Sequence, residues 1–221
     1  MKLPRKLIRG RFLESLSQKD IRFIVTTLTS DGNEADGLLK LLSDGGTRAT
    51  ILENPKLYAA ARKASSGALS QELYFYILLR RPLKDAGILL PEVVAFLAEA
   101  LAAFPPAPRA GVHTSDYEES LKNAKDYEWF VLAVEVANRA LILSGIYTDE
   151  IYKSKKNYAV AGLNRYENLS RNYYLSASRH QLANEFELRE ILHILGTDFV
   201  KVRTAMGTVR EEYLKLTTAK A

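Results

Sequence analysis

Residues 116–145 read DYEESLKNAKDYEWFVLAVEVANRALILSG, and this stretch decides the predicted fold. Ser115-Asp116-Tyr117-Glu118 fits a capping box, which begins a helix, and Gly145 is the kind of residue that ends one. From Phe130 onward the stretch is apolar on nearly every side of a helix, which is typical of a helix packed on several faces. We therefore expect a long central helix over about residues 116–144.

Helix signals continue on both sides of this stretch. Ser17 fits the N-cap of a helix at 18–29, Asn54-Pro55 is a strong helix start, and Pro91 opens a helix that ends at Phe104. The same reasoning predicts further helices at about 33–43, 69–81, 157–178, 180–195 and 198–217. Since no period-2 pattern persists, the predicted fold class is all-α, a multi-helix globular bundle of about nine or ten helices.

Three local signals set expected boundaries within this pattern. Asn33 is expected to cap the second helix, and Asp44-Gly45-Gly46 is expected to form a turn rather than a helix. Pro82 is expected to stop the helix at 69–81, because proline has no N–H to donate within a helix.

A proline-rich stretch, PPAPRAG at residues 105–111, gives the predicted domain organisation. Three prolines in four residues cannot be helical, so we interpret 105–111 as a connector. It divides an N-terminal helical half, 1–104, from a C-terminal helical half, 112–221. The connector is short and its flanks are apolar, so we expect the halves to pack as one globular unit.

The net charge of +5 is concentrated at the N-terminus. Residues 1–24 form a basic arm with seven basic and two acidic side chains, whereas the rest of the chain is balanced. Such an arm could bind an acidic partner, a nucleic acid or an anionic membrane surface, or its apolar residues could dock on the protein's own first helix. The candidate contacts to an anionic partner are Lys2, Arg5, Lys6, Arg9 and Arg11.

Composition excludes several classes of protein. The chain has no cysteine, which removes disulfides, thiolate zinc sites and cysteine nucleophiles. We find no secretory signal, and the apolar stretches carry charges near their middle, so no membrane span is predicted. We expect a soluble, cytoplasmic protein without a cofactor.

The central helix contains the first candidate site. Glu135 and Arg139 are spaced to pair along one helix face, and Asn138 lies beside them. One interpretation is a polar site in the bundle core, formed by Glu135, Asn138 and Arg139. The other is an internal salt bridge that also engages Asn138 or a nearby tyrosine, because a buried ion pair needs its remaining hydrogen bonds satisfied.

The string Glu190-Ile191-Leu192-His193 is the candidate metal motif, because it places a carboxylate and an imidazole one turn apart. Helical di-iron proteins use two such pairs and two further glutamates. A second Glu-x-x-His pair is absent, although Glu72, Glu99 and Glu135 lie in apolar helices. Glu190 and His193 are therefore half of a site, and the alternative is that His193 is a hydrogen-bonded residue on a partly buried face.

Tyrosines and cations alternate at residues 153–179. This combination suits stacking on bases with contacts to phosphates, and predicts a nucleic-acid-binding face. However, Tyr158, Gly162, Tyr166, Leu169 and Tyr173 follow the spacing of one helical stripe, and such a stripe is usually core.

Two stretches carry a resemblance to other proteins. They are LYFYILLRR at 73–81, and the segment that runs from LILSGIY at 141–147 to YENL at 166–169 and Tyr173-Tyr174. Together they resemble a group of small all-helical bacterial proteins over about residues 65–215. The resemblance implies a bacterial cytoplasmic protein and carries no activity, cofactor or site.

The sequence leaves three functional hypotheses. No catalytic motif is complete, so it favours a non-enzymatic helical scaffold or adaptor that acts through protein–protein contacts, with homo-oligomerisation as one form. The second hypothesis is a nucleic-acid-binding protein that uses the basic arm and the 153–179 face. The third is a metal-dependent enzyme built in a helical bundle.

Overall fold

A computed structural model describes residues 7–65, 67–104, 120–148 and 159–212. Within these ranges every regular element is a helix, which confirms the predicted all-α fold class. A 3-10 turn at Phe12–Glu14 precedes the first α-helix. The α-helices of the described residues are α1 Gln18–Leu28, α2 Gly32–Ser43, α3 Gly45–Ile51, α4 Pro55–Lys63, α5 Gln71–Asp85, α6 Pro91–Ala103, α7 Asp126–Gly145, α8 Ala159–Ser178, α9 Gln181–Glu185, α10 Arg189–Thr197 and α11 Phe199–Thr208.

The described residues group into two compact units. One unit is Gly10–Ala103, and the other contains the described parts of Met1–Arg9 and Phe104–Ala221. The boundary after Ala103 lies beside the predicted connector at 105–111, which is itself outside the described residues. The prediction that the two halves pack as one globular unit stays a prediction.

In the unit Gly10–Ala103, α5 and α6 pack against each other and form the centre of the core. The predicted cap of α1 is confirmed: Ser17 and Asp20 bond each other's backbone N–H groups in a capping box. Asp20 is buried and also accepts a 2.6 Å hydrogen bond from the backbone N–H of Ser70, the N-cap of α5. One carboxylate therefore fixes the starts of two helices.

A charged cluster joins two loops of this unit to α5. Arg80, which is buried, donates from Nε to Glu53 Oε1 at 2.8 Å and from Nη1 to the carbonyl of Leu89 at 3.0 Å. Lys84 Nζ donates to Glu53 Oε2 at 2.6 Å. The bond from Lys84, and then Arg80, holds the pKa of Glu53 below its ordinary value, against the opposite effect of partial burial.

Three boundaries in this unit differ from the prediction. Pro82 lies inside α5, three residues before its end, because the fully buried Leu83 keeps the last turn against the core. Gly45 begins helix α3 instead of a turn, since the Asp44 carboxylate accepts from the Thr47 N–H at 2.7 Å and caps it. Asp31 rather than Asn33 caps α2.

In the second unit, α7 packs against α8 and α11, and α8 packs against α10. Small residues allow close approach between these helices. A Cβ added to Gly196 would lie 2.7 Å from Leu175 Cγ, and one added to Gly145 would lie 3.2 Å from Met206 Cβ. As its sequence predicts, α7 is buried on nearly all sides from Phe130 onward.

The extent of the central helix was predicted wrongly. In the described residues, 120–123 are helical, Ala124 and Lys125 are not, and α7 starts at Asp126. The residues between Leu121 and Tyr127 include no large apolar side chain, so nothing holds a continuous helix against the core there. With 20 residues, α7 is also no longer than α8.

One of the predicted C-terminal helices is divided in the structure. The helix predicted at 180–195 is two helices, α9 and α10, separated at Glu187, whose φ is +58°. The helix predicted at 198–217 is α11, and residues 213–217 lie outside the described range. None of the helices in the described residues is long and apolar enough to cross a membrane.

Candidate functional site

The predicted ion pair of the central helix is formed on α7. Arg139 Nε donates to Glu135 Oε1 at 2.6 Å, and both side chains are about a quarter exposed. The Arg139 guanidinium carbon also lies 5.7 Å from the centroid of the Phe104 ring. The two charges neutralise each other one helical turn apart, at the edge of the core rather than within it.

Asn138 points away from this pair and binds Tyr174 across the helix interface. The Tyr174 hydroxyl donates to Asn138 Oδ1 at 2.7 Å, and Ser170 Oγ donates to the carbonyl of Ala137 at 2.8 Å. Burial first, and the Glu135 carboxylate second, raises the pKa of Tyr174, so its hydroxyl stays a donor. Asn138 Nδ2 is buried and has no hydrogen-bond partner among the described residues. These bonds join α7 to α8.

The candidate metal residues lie on the exposed side of α10. Glu190 and His193 are exposed, whereas Ile191, Leu192 and Leu195 form the buried side of the helix. Across the described residues, no group of three or more His, Asp or Glu side chains could hold a metal ion. The metal hypothesis therefore stays a sequence prediction resting on Glu190 and His193 alone.

The basic arm is described from Leu7 onward, so Lys2, Arg5 and Lys6 lie outside the described residues. Arg9 and Arg11 are described, and Arg11 Nε lies 3.5 Å from a carboxylate oxygen of Glu14.

Residues 10–14 of the arm pack within the unit Gly10–Ala103. The Glu99 carboxylate accepts from the N–H groups of Gly10 and Phe12, at 3.2 and 2.7 Å, and the Phe12 ring packs edge-on against Tyr76. Gly10 has a φ of +69°, and an added Cβ would lie 3.1 Å from Phe96 Cβ. Glu99, one of the carboxylates considered for a metal, therefore binds backbone instead.

The tyrosine-rich face is described from residue 159 onward, and its side chains from residue 163. Tyr166 and Tyr173 are half-buried, while the fully buried positions of α8 are Ser170, Tyr174 and Ala177. The core stripe of α8 is thus displaced by one residue from the predicted one. Arg165, Arg171 and Arg179 are exposed on the same helix or directly after it.

A continuous set of aromatic rings, which the sequence analysis missed, lies in the second unit. We call it the aromatic row; its members are Tyr127, Trp129, Phe130, His180 and Phe186. Trp129 stacks on His180 with centroids 5.7 Å apart and planes at 24°. Phe130 contacts His180 at 5.5 Å and Phe186 at 6.0 Å. Tyr127 meets Phe186 edge-on at 6.2 Å.

The guanidinium of Arg9 ends the row. Its carbon lies 4.5 Å from the centroid of the Phe186 ring, within the range of a cation–π contact. Arg9 is exposed and makes no ion pair with the described residues. Arg9, an arm residue predicted to contact an anionic partner, thus lies against an aromatic surface.

Two strained residues border the row. Asp126 (φ +47°) precedes Tyr127, and Glu187 (φ +58°) follows Phe186; they are the non-glycine residues with positive φ in the described chain. Left-handed backbone is uncommon outside glycine, and strain of this kind clusters at functional sites. Both outliers therefore adjoin the same ring contact, between Tyr127 and Phe186.

His180 is fixed by a role in the backbone. It is the N-cap of α9, and its Nδ1 accepts from the Leu182 N–H at 3.3 Å. An accepting Nδ1 places the ring proton of the neutral imidazole on Nε2. The imidazole is thus held in one orientation, against which Trp129 stacks.

The rim of the row is polar and carries both signs of charge. Tyr127 is 55% exposed and Trp129 is half-buried. Lys125, Glu128 and Arg179 are exposed beside them. The row can thus offer aromatic faces, the Tyr127 hydroxyl and the Trp129 indole N–H to a binding partner, with charged groups around them.

Comparisons of the chain with protein-family models, with curated proteins and with solved structures gave no match.

Proposed function

We propose that this protein is a helical scaffold or adaptor that binds a partner protein through the aromatic row. The observation that carries the proposal is the run of touching rings from Trp129 to Phe186, which ends in the exposed Tyr127 and Arg9. Tryptophan, tyrosine and arginine are the residues that most often dominate the binding energy of protein interfaces. A partly exposed aromatic centre with a charged rim matches the anatomy of such interfaces.

The rigidity of the row supports the same function. Its rings are held by helix α7, by the cap of α9 and by contacts among themselves. Side chains that are ordered before binding lose little conformational entropy when a partner docks, which favours affinity. We place this activity in a bacterial cytoplasm, as the cysteine-free sequence and the resemblance noted above favour, and include self-association among the forms it takes.

The charges of the rim favour a protein over a nucleic acid. Asp126 and Glu128 are exposed at the start of α7, next to Tyr127. Carboxylates at that place would repel a nucleic acid, which carries a negative phosphate on every nucleotide, whereas a protein segment can place an acidic residue away from them and neutral or basic residues beside them. The nucleic-acid hypothesis remains the second one, because cations also lie beside the rings.

A photo-crosslinking experiment tests the proposal. Benzoylphenylalanine replaces Tyr127 in the full chain, and illumination in native lysate is expected to give discrete covalent adducts. Trp129→Ala in the same chain should abolish these adducts, since it removes the ring that stacks on His180. An adduct of twice the chain mass would identify a second copy as the partner.

The control is the same photo-reactive residue at Leu89, which is more exposed, at 64%, and lies in the other unit. Adducts that are identical at both positions, or adducts at Tyr127 that survive Trp129→Ala, would count against the proposal. Circular dichroism of each variant checks that the helices are retained.

A further inference from the structure

We infer that the aromatic row binds an acidic segment of its partner protein, with a carboxylate of that segment held by Arg9. This inference rests on the proposed function and adds the chemistry of the partner. Three features carry it: the exposure of Arg9, the absence of a carboxylate partner for it among the described residues, and the ring surface next to it.

Arg9 combines a ring contact with exposure to solvent. Its guanidinium carbon lies over the Phe186 ring, 4.5 Å from the ring centroid, while the residue is exposed. The N–H donors of a guanidinium lie in its plane and point outward at its edges. Because Arg9 is exposed, N–H donors of its guanidinium are left for a second molecule, and a carboxylate can bind such a group through two parallel hydrogen bonds.

The acceptor for Arg9 is missing from the chain's described residues. Neither a salt bridge nor a side-chain hydrogen bond links Arg9 to any of them, whereas the nearby Arg11 pairs with Glu14. An exposed arginine that has no acidic partner among the described residues is complementary to a carboxylate on another molecule. Charge complementarity thus favours aspartate or glutamate in the partner segment.

The rings determine what accompanies the carboxylate. Tyr127 and Phe186 meet edge-on beside Arg9, and Tyr127 is 55% exposed. Such a surface buries an apolar or aromatic side chain well, and Tyr127 adds a hydroxyl at its margin. The expected segment therefore carries an acidic residue close to an aliphatic or aromatic one.

The test uses a displayed library of random twelve-residue peptides, selected on the purified full chain. Selected peptides are expected to be enriched in Asp or Glu close to an apolar residue. The best peptide, labelled with fluorescein, then gives dissociation constants by fluorescence anisotropy. Arg9→Gln should weaken its binding tenfold or more, and so should replacement of its acidic residue by the amide.

Arg22→Gln is the matched control. Arg22 is exposed on α1, in the other unit, and belongs to the same basic arm, so its replacement removes the same charge. We expect less than a twofold change for Arg22→Gln. An equal loss for both variants would show a general charge effect and would overturn the inference.

The remaining outcomes separate this inference from the proposed function. Peptides without acidic enrichment that still lose binding with Tyr127→Ala would overturn the inference and leave the proposed function standing. Peptides that bind Tyr127→Ala and Trp129→Ala as well as the unchanged chain, or the absence of any enrichment, would count against both. Arg9-dependent binding of a twelve-nucleotide oligothymidine, stronger than that of any peptide, would favour the nucleic-acid hypothesis instead.

Discussion

The buried hydrogen bond between Asn138 and Tyr174 gives a prediction about the free energy of unfolding. Tyr174→Phe removes the only donor to Asn138 Oδ1 among the described residues, and leaves both ends of a buried amide without partners. We expect this variant to lose about 1–3 kcal/mol of unfolding free energy. Asn138→Leu leaves the Tyr174 hydroxyl unpaired and should lose about 1–2 kcal/mol, because the unpaired Nδ2 disappears at the same time.

The double variant, Asn138→Leu with Tyr174→Phe, should recover most of this loss. Replacing both buried partners by apolar groups of similar shape removes every unpaired polar atom of the pair, and such replacements are often neutral or stabilising. We expect the double variant to lie within about 1 kcal/mol of the unchanged chain. The coupling energy of the pair is then about 3 kcal/mol, at the upper end of the range found for residues in contact.

Urea denaturation followed by circular dichroism measures all four proteins of this cycle. Tyr127→Phe, at an exposed tyrosine, is the control and should change stability by less than about 0.5 kcal/mol. If the losses of the two single variants simply add in the double variant, the bond to Tyr174 does not explain the presence of a buried asparagine at position 138. The interpretation of Glu135, Asn138 and Arg139 as a polar core site then regains support. Unchanged photo-crosslinking from benzoylphenylalanine at position 127 in the double variant would agree with a structural role for Asn138 and Tyr174.

Three further predictions concern stability. Above a pH of about 10, the unfolding free energy should fall. Tyrosines of the unfolded chain ionise there, whereas burial raises the pKa of Tyr76 and Tyr174 in the folded chain. Urea titrations at several alkaline pH values measure this, and an unfolding free energy that stays constant with pH would contradict it. Glu53→Gln should lose about 1–2 kcal/mol in the same assay at neutral pH, since it leaves a buried arginine without its anion; an unchanged midpoint would argue against the charged cluster. Gly10→Ala should lose about 1–2 kcal/mol of unfolding free energy, because Gly10 has a positive φ and close contacts. Gly37→Ala, inside α2 with open space around it, should instead gain about 0.5–1 kcal/mol. A change of the same sign for both variants would refute this reasoning.

The parts of the fold that sequence predicted well are those decided by neighbours in the chain. The cap of α1 depends on Ser17 and Asp20, three residues apart, and the start of α4 depends on Asn54 and Pro55. The pairing of Glu135 with Arg139 is equally local, because one helical turn brings them together. Such features need no knowledge of the rest of the molecule.

The features that the sequence did not predict depend on contacts between residues that are distant in sequence. Pro82 should end a helix, but burial of Leu83 stabilises one more turn after it. The pairing of Asn138 with Tyr174 spans 36 residues, and the bonds of Glu99 to the arm span almost the length of the first unit. A pattern of residue types shows that a polar group needs a partner, but it does not say which one.

The aromatic row was not predicted from the sequence for a related reason, which the end of α9 illustrates. Helix α5 ends at Asp85, and Gly87, with φ +85°, closes the turn after it, where the Ile88 N–H donates to the Leu83 carbonyl, as glycine at this position leads one to expect. Helix α9 ends with the same bond pattern, from Leu188 to Ala183, but its left-handed residue is Glu187.

A glutamate in this conformation is held there by its surroundings, because it lacks the freedom of glycine. The surroundings are the fully buried Leu188 on one side and Phe186 on the other, with its contacts to Tyr127 and Phe130. The turn therefore depends on the ring contacts, and the position of Phe186 depends in return on the turn. The sequence alone shows neither the turn at Glu187 nor the position of Phe186, because each depends on the other. The strained backbone of the described residues therefore lies beside the surface that we assign to partner binding.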